Sequence, residues 1–176
     1  MSDFTTELEL SAPRAALAVS AALAEVDIET PEQILRRART RVPSGRALYA
    51  GALTPQEAWS LIRAGGATLV DVRTPEERQL VGYVPQSEHV PWAFGSALQR
   101  NPRFVEELES HFGREQVVLF LCRSGSRSAA AAQAATHAGY RDAFSVLEGF
   151  EGALDPLQPG APRGGWKSRG LPWVHD

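Results

Sequence analysis

The 176-residue sequence predicts an α/β protein built on an open, largely parallel sheet. Three observations predict it. Short apolar runs alternate with helical patterns from about residue 49 onward. The run "VVLFLC" is apolar at every position, as a strand covered on both faces must be. Two Thr-Pro-x-Glu stretches, Thr54–Glu57 and Thr74–Glu77, mark helix starts: Thr caps, Pro fits the first turn, and Glu closes the capping box.

"SAPRAALAVSAALAEV" and "TPEQILRRARTR" come first, and both carry helix-forming composition. They define an N-terminal helical extension, residues 1–48, ahead of a domain spanning 49–176. Asp3, Glu7 and Glu9 stand where a signal peptide needs a basic start. Arg36, Arg37, Arg39 and Arg41 read as a solvated face balanced by Glu25, Asp27, Glu29 and Glu32, not as a nucleic-acid patch. Then follow a helix in "TPQEAWSLIRAG", a strand in "ATLVDV", a brief helix in "TPEERQLV" and a strand in "EHVPW" stopped by Pro91. "ALQRNPRFVEELESHF" reads as one or two helical pieces broken at Asn101-Pro102. "VVLFLC" is the central strand, "SRSAAAAQAATHAGY" a helix ended at Gly139, and "AFSVL" the last strand. The stretch 156–165 is rich in Pro and Gly and reads as an irregular surface loop, followed by a short helix at "GWKSRG". Trp166 and Trp173 are expected to anchor this tail by packing.

Composition narrows the chemistry. A net charge of −3 gives no electrostatic reason to bind nucleic acid or an anionic membrane, and no apolar run is long enough to span a bilayer. A single cysteine rules out an internal disulfide and fits a reducing, cytoplasmic setting. His89, His111, His137 and His175 lack metal-ligand spacing, so neither metal nor cofactor is expected. The oligomeric state is left open.

That cysteine, Cys122, is the first residue past the central strand, and "RSGSRS" behind it runs into a helix. Ligands of open α/β sheets sit at that edge. The helix dipole, backbone amides gathered by a Gly-containing turn, and the charges of Arg123 and Arg127 all favour thiolate over thiol. A cysteine serving only as a small core hydrophobe needs none of these. Two arginines there would also be costly without an anion to meet.

"LVDVRTPEERQLVGYVPQSEHVPW", "VLFLCRSGSRSAAAA", "VLEGFEGAL" and "GWKSRGLPW" together resemble the rhodanese-like family, single-domain thiosulfate sulfurtransferases, from about Gly51 to Trp173. The resemblance implies a rhodanese-like open parallel sheet of about five strands with helices on both faces. It implies a Cys122 persulfide that carries sulfane sulfur from thiosulfate or a similar small anionic donor to a thiol or protein-cysteine acceptor. Arg123 and Arg127 would orient the donor, while the amides and hydroxyls of Ser124, Gly125, Ser126 and Ser128 hold the persulfide, Ser126 and Ser128 serving alternatively as helix caps. Asp71 and Arg73 would support the loop from beneath, and Glu76 and Glu77 belong to a helix start. The sequence departs from the family at 156–165 and at Tyr83, where a histidine is usual. Two other classes compete: a non-catalytic binding or regulatory module on the same scaffold, and a cysteine phosphatase or arsenate reductase. The latter places its arginine six residues after the nucleophile, whereas here Arg127 lies five after Cys122 and position six is Ser128.

Overall fold

The computed structural model describes residues 29–42, 48–155 and 158–176; the helix expected in "SAPRAALAVSAALAEV" lies outside them. Along the chain run α1 (Pro31–Thr40), β1 (Gly51–Leu53), α2 (Pro55–Arg63), β2 (Thr68–Asp71), α3 (Pro75–Val81) and β3 (Ser87–His89). There follow β4 (Ala93–Phe94), β5 (Gln99–Arg100), α4 (Phe104–His111), β6 (Val118–Leu121), α5 (Ser126–His137), β7 (Ala143–Val146), β8 (Ala153–Asp155) and β9 (Gln158–Arg163). The main sheet has five strands in the order β1-β7-β6-β2-β3, every neighbouring pair parallel. β6 is the middle strand, as its unbroken apolar run requires.

Side chains alternate across β6. Val118, Phe120 and then Cys122 join one core layer with Phe104 and Leu108 of α4 and Ala131, Ala132 and Ala135 of α5. Leu119 and Leu121 join the other with Ile34 and Ala38 of α1 and Ala58 and Leu61 of α2. Helices thus cover both faces. Burial of each large apolar side chain contributes about 1.5–3 kcal/mol. The alanine face of α5 keeps it close to the sheet, which fixes its N-terminus beside the end of β6.

Both capping boxes form. Thr54 accepts the Glu57 amide at 3.3 Å and the Thr54 amide donates to the Glu57 carboxylate at 2.9 Å; Thr74 and Glu77 repeat this at 3.2 and 2.9 Å. In each box the glutamate also takes a distant arginine. Glu57 receives Arg37 and Arg41 from the other side of the α1–β1 connection. Burial raises the Glu57 carboxyl, but the Arg41, Thr54 and Arg37 hydrogen bonds outweigh it and bring the pKa down to about 2. Arg39 pairs with Asp142 at 2.5 Å. Three of the arginines read from sequence as a solvated face balanced by neighbouring acids are therefore tied to carboxylates far along the chain. With them, α1 belongs to the compact unit Pro31–Asp176 and buries Ile34 and Ala38 against the sheet.

Four other elements differ from expectation. β1 is a three-residue strand, too short to show a period, and it borrows its stability from parallel pairing with β7. Residues 93–100 form a small antiparallel hairpin, so the helical piece expected from Ala97 is absent before Asn101; Leu98 adopts left-handed backbone (φ 50°) that a helix cannot hold. Within the Pro- and Gly-rich stretch, β9 pairs antiparallel with β8, with an irregularity after Leu154, in place of the expected irregular loop. "GWKSRG" closes in turns instead of a regular helix, since Gly165 and Gly170 sit at φ 94° and 68°. Trp166 is buried, edge-on to Trp59 and donating to the Pro172 carbonyl at 2.8 Å; Trp173 packs edge-on against Phe150. Among the described residues no helix is long and apolar enough to cross a membrane.

Candidate active site

Cys122 leaves the carboxyl end of β6, where the backbone must turn before α5 begins. Gly125 makes that turn at φ 102° and is the residue that caps α5; neither Ser126 nor Ser128 caps it. The turn aims the Gly125 amide at Cys122 Sγ, 3.1 Å away. Ser128, one turn into the helix, is fully buried. Its hydroxyl donates to the Gly125 carbonyl at 2.8 Å, shares a hydrogen bond with Ser145 of β7 at 2.9 Å, and lies 3.5 Å from Sγ. With its single proton given to Gly125, Ser128 accepts from both the thiol and Ser145. Ser145 escapes notice in the sequence because it is one polar residue inside a strand.

The thiol itself is fully covered. Above it, Arg123, Ser124, Ser126 and Arg127 form part of the lining of a cavity of about 610 Å³. Its other walls come from α3 and its cap (Thr74, Glu76, Glu77, Leu80, Val81), from the 93–100 hairpin (Gly95, Ser96, Leu98), and from Glu151.

The two arginines of the loop do meet anions, and both anions are protein. Arg127 is held by both oxygens of Glu77 at 2.7 Å each. Burial raises Glu77, yet the hydrogen bonds from Arg127 and the Thr74 amide outweigh it, and the carboxyl lies below its usual range. The same bond raises Arg127. Arg123 is half exposed and sits 3.5 Å from Glu151. The pairing of Glu77 with a residue fifty positions away carries no sequence signal beyond the capping box that hides it.

Asp71 and Arg73 lie beneath the loop, both fully buried. Asp71 Oδ1 accepts the Arg73 amide and Nε at 3.0 Å, and Oδ2 accepts Nη2 at 2.6 Å. Arg73 Nη2 also donates to the Gly82 carbonyl at 2.8 Å, and its guanidinium lies 4.0 Å over the Phe150 ring. That ring is the face available to Arg73 Nη1, which has no hydrogen-bond partner. Burial lowers the His89 imidazole, and the neutral ring donates Nε2–H to the Arg73 carbonyl at 2.9 Å.

A second turn, residues 147–152, braces the loop from behind. The Phe150 amide donates to the Cys122 carbonyl at 2.7 Å and the Glu151 amide to the Arg123 carbonyl at 3.0 Å. Gly149 (φ 65°) makes this possible: a Cβ there would stand 2.5 Å from both carbonyl oxygens. Phe150 thus touches both groups, its ring under the Arg73 guanidinium and its amide on the Cys122 carbonyl. Among the described residues no cluster of His, Cys, Asp or Glu could hold a metal ion.

A strand, cysteine, six-residue loop and helix joined in this way match a known architecture. The profile of the Rhodanese-like domain matches residues 54–154. The chain belongs to the rhodanese-like domain family. The crystal structure of Rv0390 from M. tuberculosis is similar at 43% identity and a TM-score of 0.64, with 73% of this chain and 99% of that one covered. An uncharacterised protein of Rickettsia prowazekii is 36% identical over 115 residues, 64% of this chain and 87% of its own. A chloroplastic protein of Arabidopsis thaliana, thiosulfate sulfurtransferase 16, is 31% identical over 109 residues, 61% of this chain and 79% of its own. This rhodanese-like domain thus has sulfurtransferases among its distant relatives, and its five-stranded parallel sheet with helices on both faces is the family's fold.

Proposed function

We propose that the protein is a sulfurtransferase that carries sulfane sulfur on Cys122. The Cys122 thiolate attacks the outer sulfur of a donor, for which thiosulfate serves as the simplest example. The donor's S–S bond breaks, sulfite leaves with the electron pair, and Cys122 holds a persulfide. An acceptor thiolate or cyanide then attacks the terminal sulfur, and the Cys122 thiolate leaves. The Gly125 amide, 3.1 Å from Sγ, is the observation that carries the reading: a fixed N–H donor stabilises the thiolate and the persulfide anion that follows it. Ser128 and Ser145 hold the thiol in line, and Gly149 and Phe150 hold the loop. The thiol is covered, so substrate access requires the loop or the Cys122 side chain to shift. The loop ends at Arg127, one residue short of the phosphatase pattern, which favours sulfur over phosphate chemistry. A reducing, cytoplasmic setting suits a single thiol that hands its sulfur to outside acceptors.

Thiocyanate formation from thiosulfate and cyanide, with intact mass of the chain beside it, tests the proposal. Wild type gains one sulfur on donor treatment and turns over by ping-pong kinetics; Cys122→Ser does neither. A folded wild-type chain that gains no sulfur from thiosulfate, polysulfide or an organic persulfide would falsify it and leave the binding module as the better reading.

A further inference from the structure

The walls of the cavity above Cys122 do not match a small dianion. Three carboxylates, Glu76, Glu77 and Glu151, face two guanidiniums, Arg123 and Arg127, which leaves the lining one charge negative. Arg127, the better placed cation, already has both of its terminal nitrogens on Glu77. A sulfonate arriving there meets a neutralised pair and an uncompensated Glu76. One turn further along α3 from Glu76 and Glu77 the lining turns apolar, with Leu80 and Val81, and Leu98 joins it from the 93–100 hairpin. Leu80 is 76% exposed and Leu98 49% exposed, so neither is held there by core packing. Leu98 also occupies left-handed backbone (φ 50°), a conformation a branched residue adopts at a cost, and it does so at the cavity rim.

We infer that the sulfur donor is an organic persulfide with an uncharged, apolar body, seated on Leu80, Val81 and Leu98, with Glu77 acting as the residue that turns small anionic donors away. This rests on the sulfurtransferase reading. In the transfer the Cys122 thiolate attacks the terminal sulfur of R–S–SH. The S–S bond breaks, R–S⁻ leaves with the electron pair, and the proton stays with the transferred sulfur or passes to R–S⁻, with no net oxidation. The apolar wall holds R. Glu77 is a positioning residue that acts by keeping Arg127 neutralised.

Single-turnover loading of Cys122, followed by intact mass, tests this with three donors: hexyl hydropersulfide, methyl hydropersulfide and thiosulfate. The first two share a reacting group and differ only in apolar body. Wild type should prefer hexyl over methyl by about tenfold or more in kcat/KM, through KM. Leu80→Ser, at a mostly exposed position that the fold tolerates, should shrink that preference. Glu77→Gln keeps the capping box and should raise kcat/KM for thiosulfate about tenfold, again through KM and not kcat. Equal use of the two hydropersulfides, or a hexyl preference that Leu80→Ser leaves intact, overturns the apolar seat. An unchanged thiosulfate KM in Glu77→Gln overturns the gate. Loading from no donor at all overturns this inference and the sulfurtransferase reading together, whereas efficient loading from thiosulfate with no hexyl preference overturns the inference alone.

Discussion

The Phe150 amide donates to the Cys122 carbonyl at 2.7 Å, so the cysteine's own backbone is pinned by a turn twenty-eight residues downstream. The turn can approach only because Gly149 has no side chain. Gly149→Ala combines a strained φ with a clash against two carbonyl oxygens. It should lower stability by about 2–4 kcal/mol in urea unfolding and reduce sulfur transfer even where the chain stays folded.

Asp71 and Arg73 form a fully buried ion pair. Arg73→Ala leaves the Asp71 carboxylate in the core without its main cation and should cost about 3–5 kcal/mol. Replacing both residues together with apolar side chains should cost less than Arg73→Ala alone. A double-mutant cycle in urea checks the ordering; a double variant less stable than either single one would refute it.

Ser128 and Ser145 share one proton network beside the thiol. Ser145→Ala removes a donor to Ser128 and should cost about 1 kcal/mol. Ser128→Ala takes one of two donors from the Gly125 carbonyl, which keeps the Ala129 amide, leaves Ser145 and the thiol without their shared partner, and should cost more. The two changes should be less than additive in both stability and persulfide formation, because each disables the same network.

The arginines around Glu57 make stability depend on pH. The folded pKa of Glu57, about 2, lies below the unfolded value of 4.5, so its stabilisation is complete above about pH 4.5 and fades as pH falls toward 2. The full effect is about 2–3 kcal/mol, because each tenfold change in proton affinity corresponds to about 1.36 kcal/mol and solvent around the half-exposed Arg37 screens part of the pairing. Glu57→Gln should be less stable than wild type at pH 7 and should show a flatter loss of stability between about pH 4.5 and 2.5. Parallel curves would refute the assignment.

What could be seen in the sequence was local or periodic. β6 announced itself because a middle strand must be apolar on both faces, and α2 and α3 because a capping box is a four-residue pattern. The cysteine loop was legible for the same reason: strand, Gly turn and helix are contiguous. β1, the 93–100 hairpin and β8–β9 were not, since two- and three-residue strands have no period and exist through partners elsewhere. The site's electrostatics failed most. Arg123 and Arg127 suggested an anionic substrate, but nothing local in the sequence showed that each also has a carboxylate partner, since Glu77 lies on another element altogether. Gly149 and Ser145 were silent because a glycine in a turn and a serine in a strand have many ordinary explanations.

The place of β6 between β2 and β7 has a consequence for the order in which the molecule comes apart. Its amides and carbonyls are bonded on both sides, so amide hydrogen exchange along Val118–Leu121 should require opening of the whole sheet, while α3 and the 93–100 hairpin exchange through smaller fluctuations. Part of the cavity wall thus opens more readily than the strand that leads into Cys122, which is the last to let go.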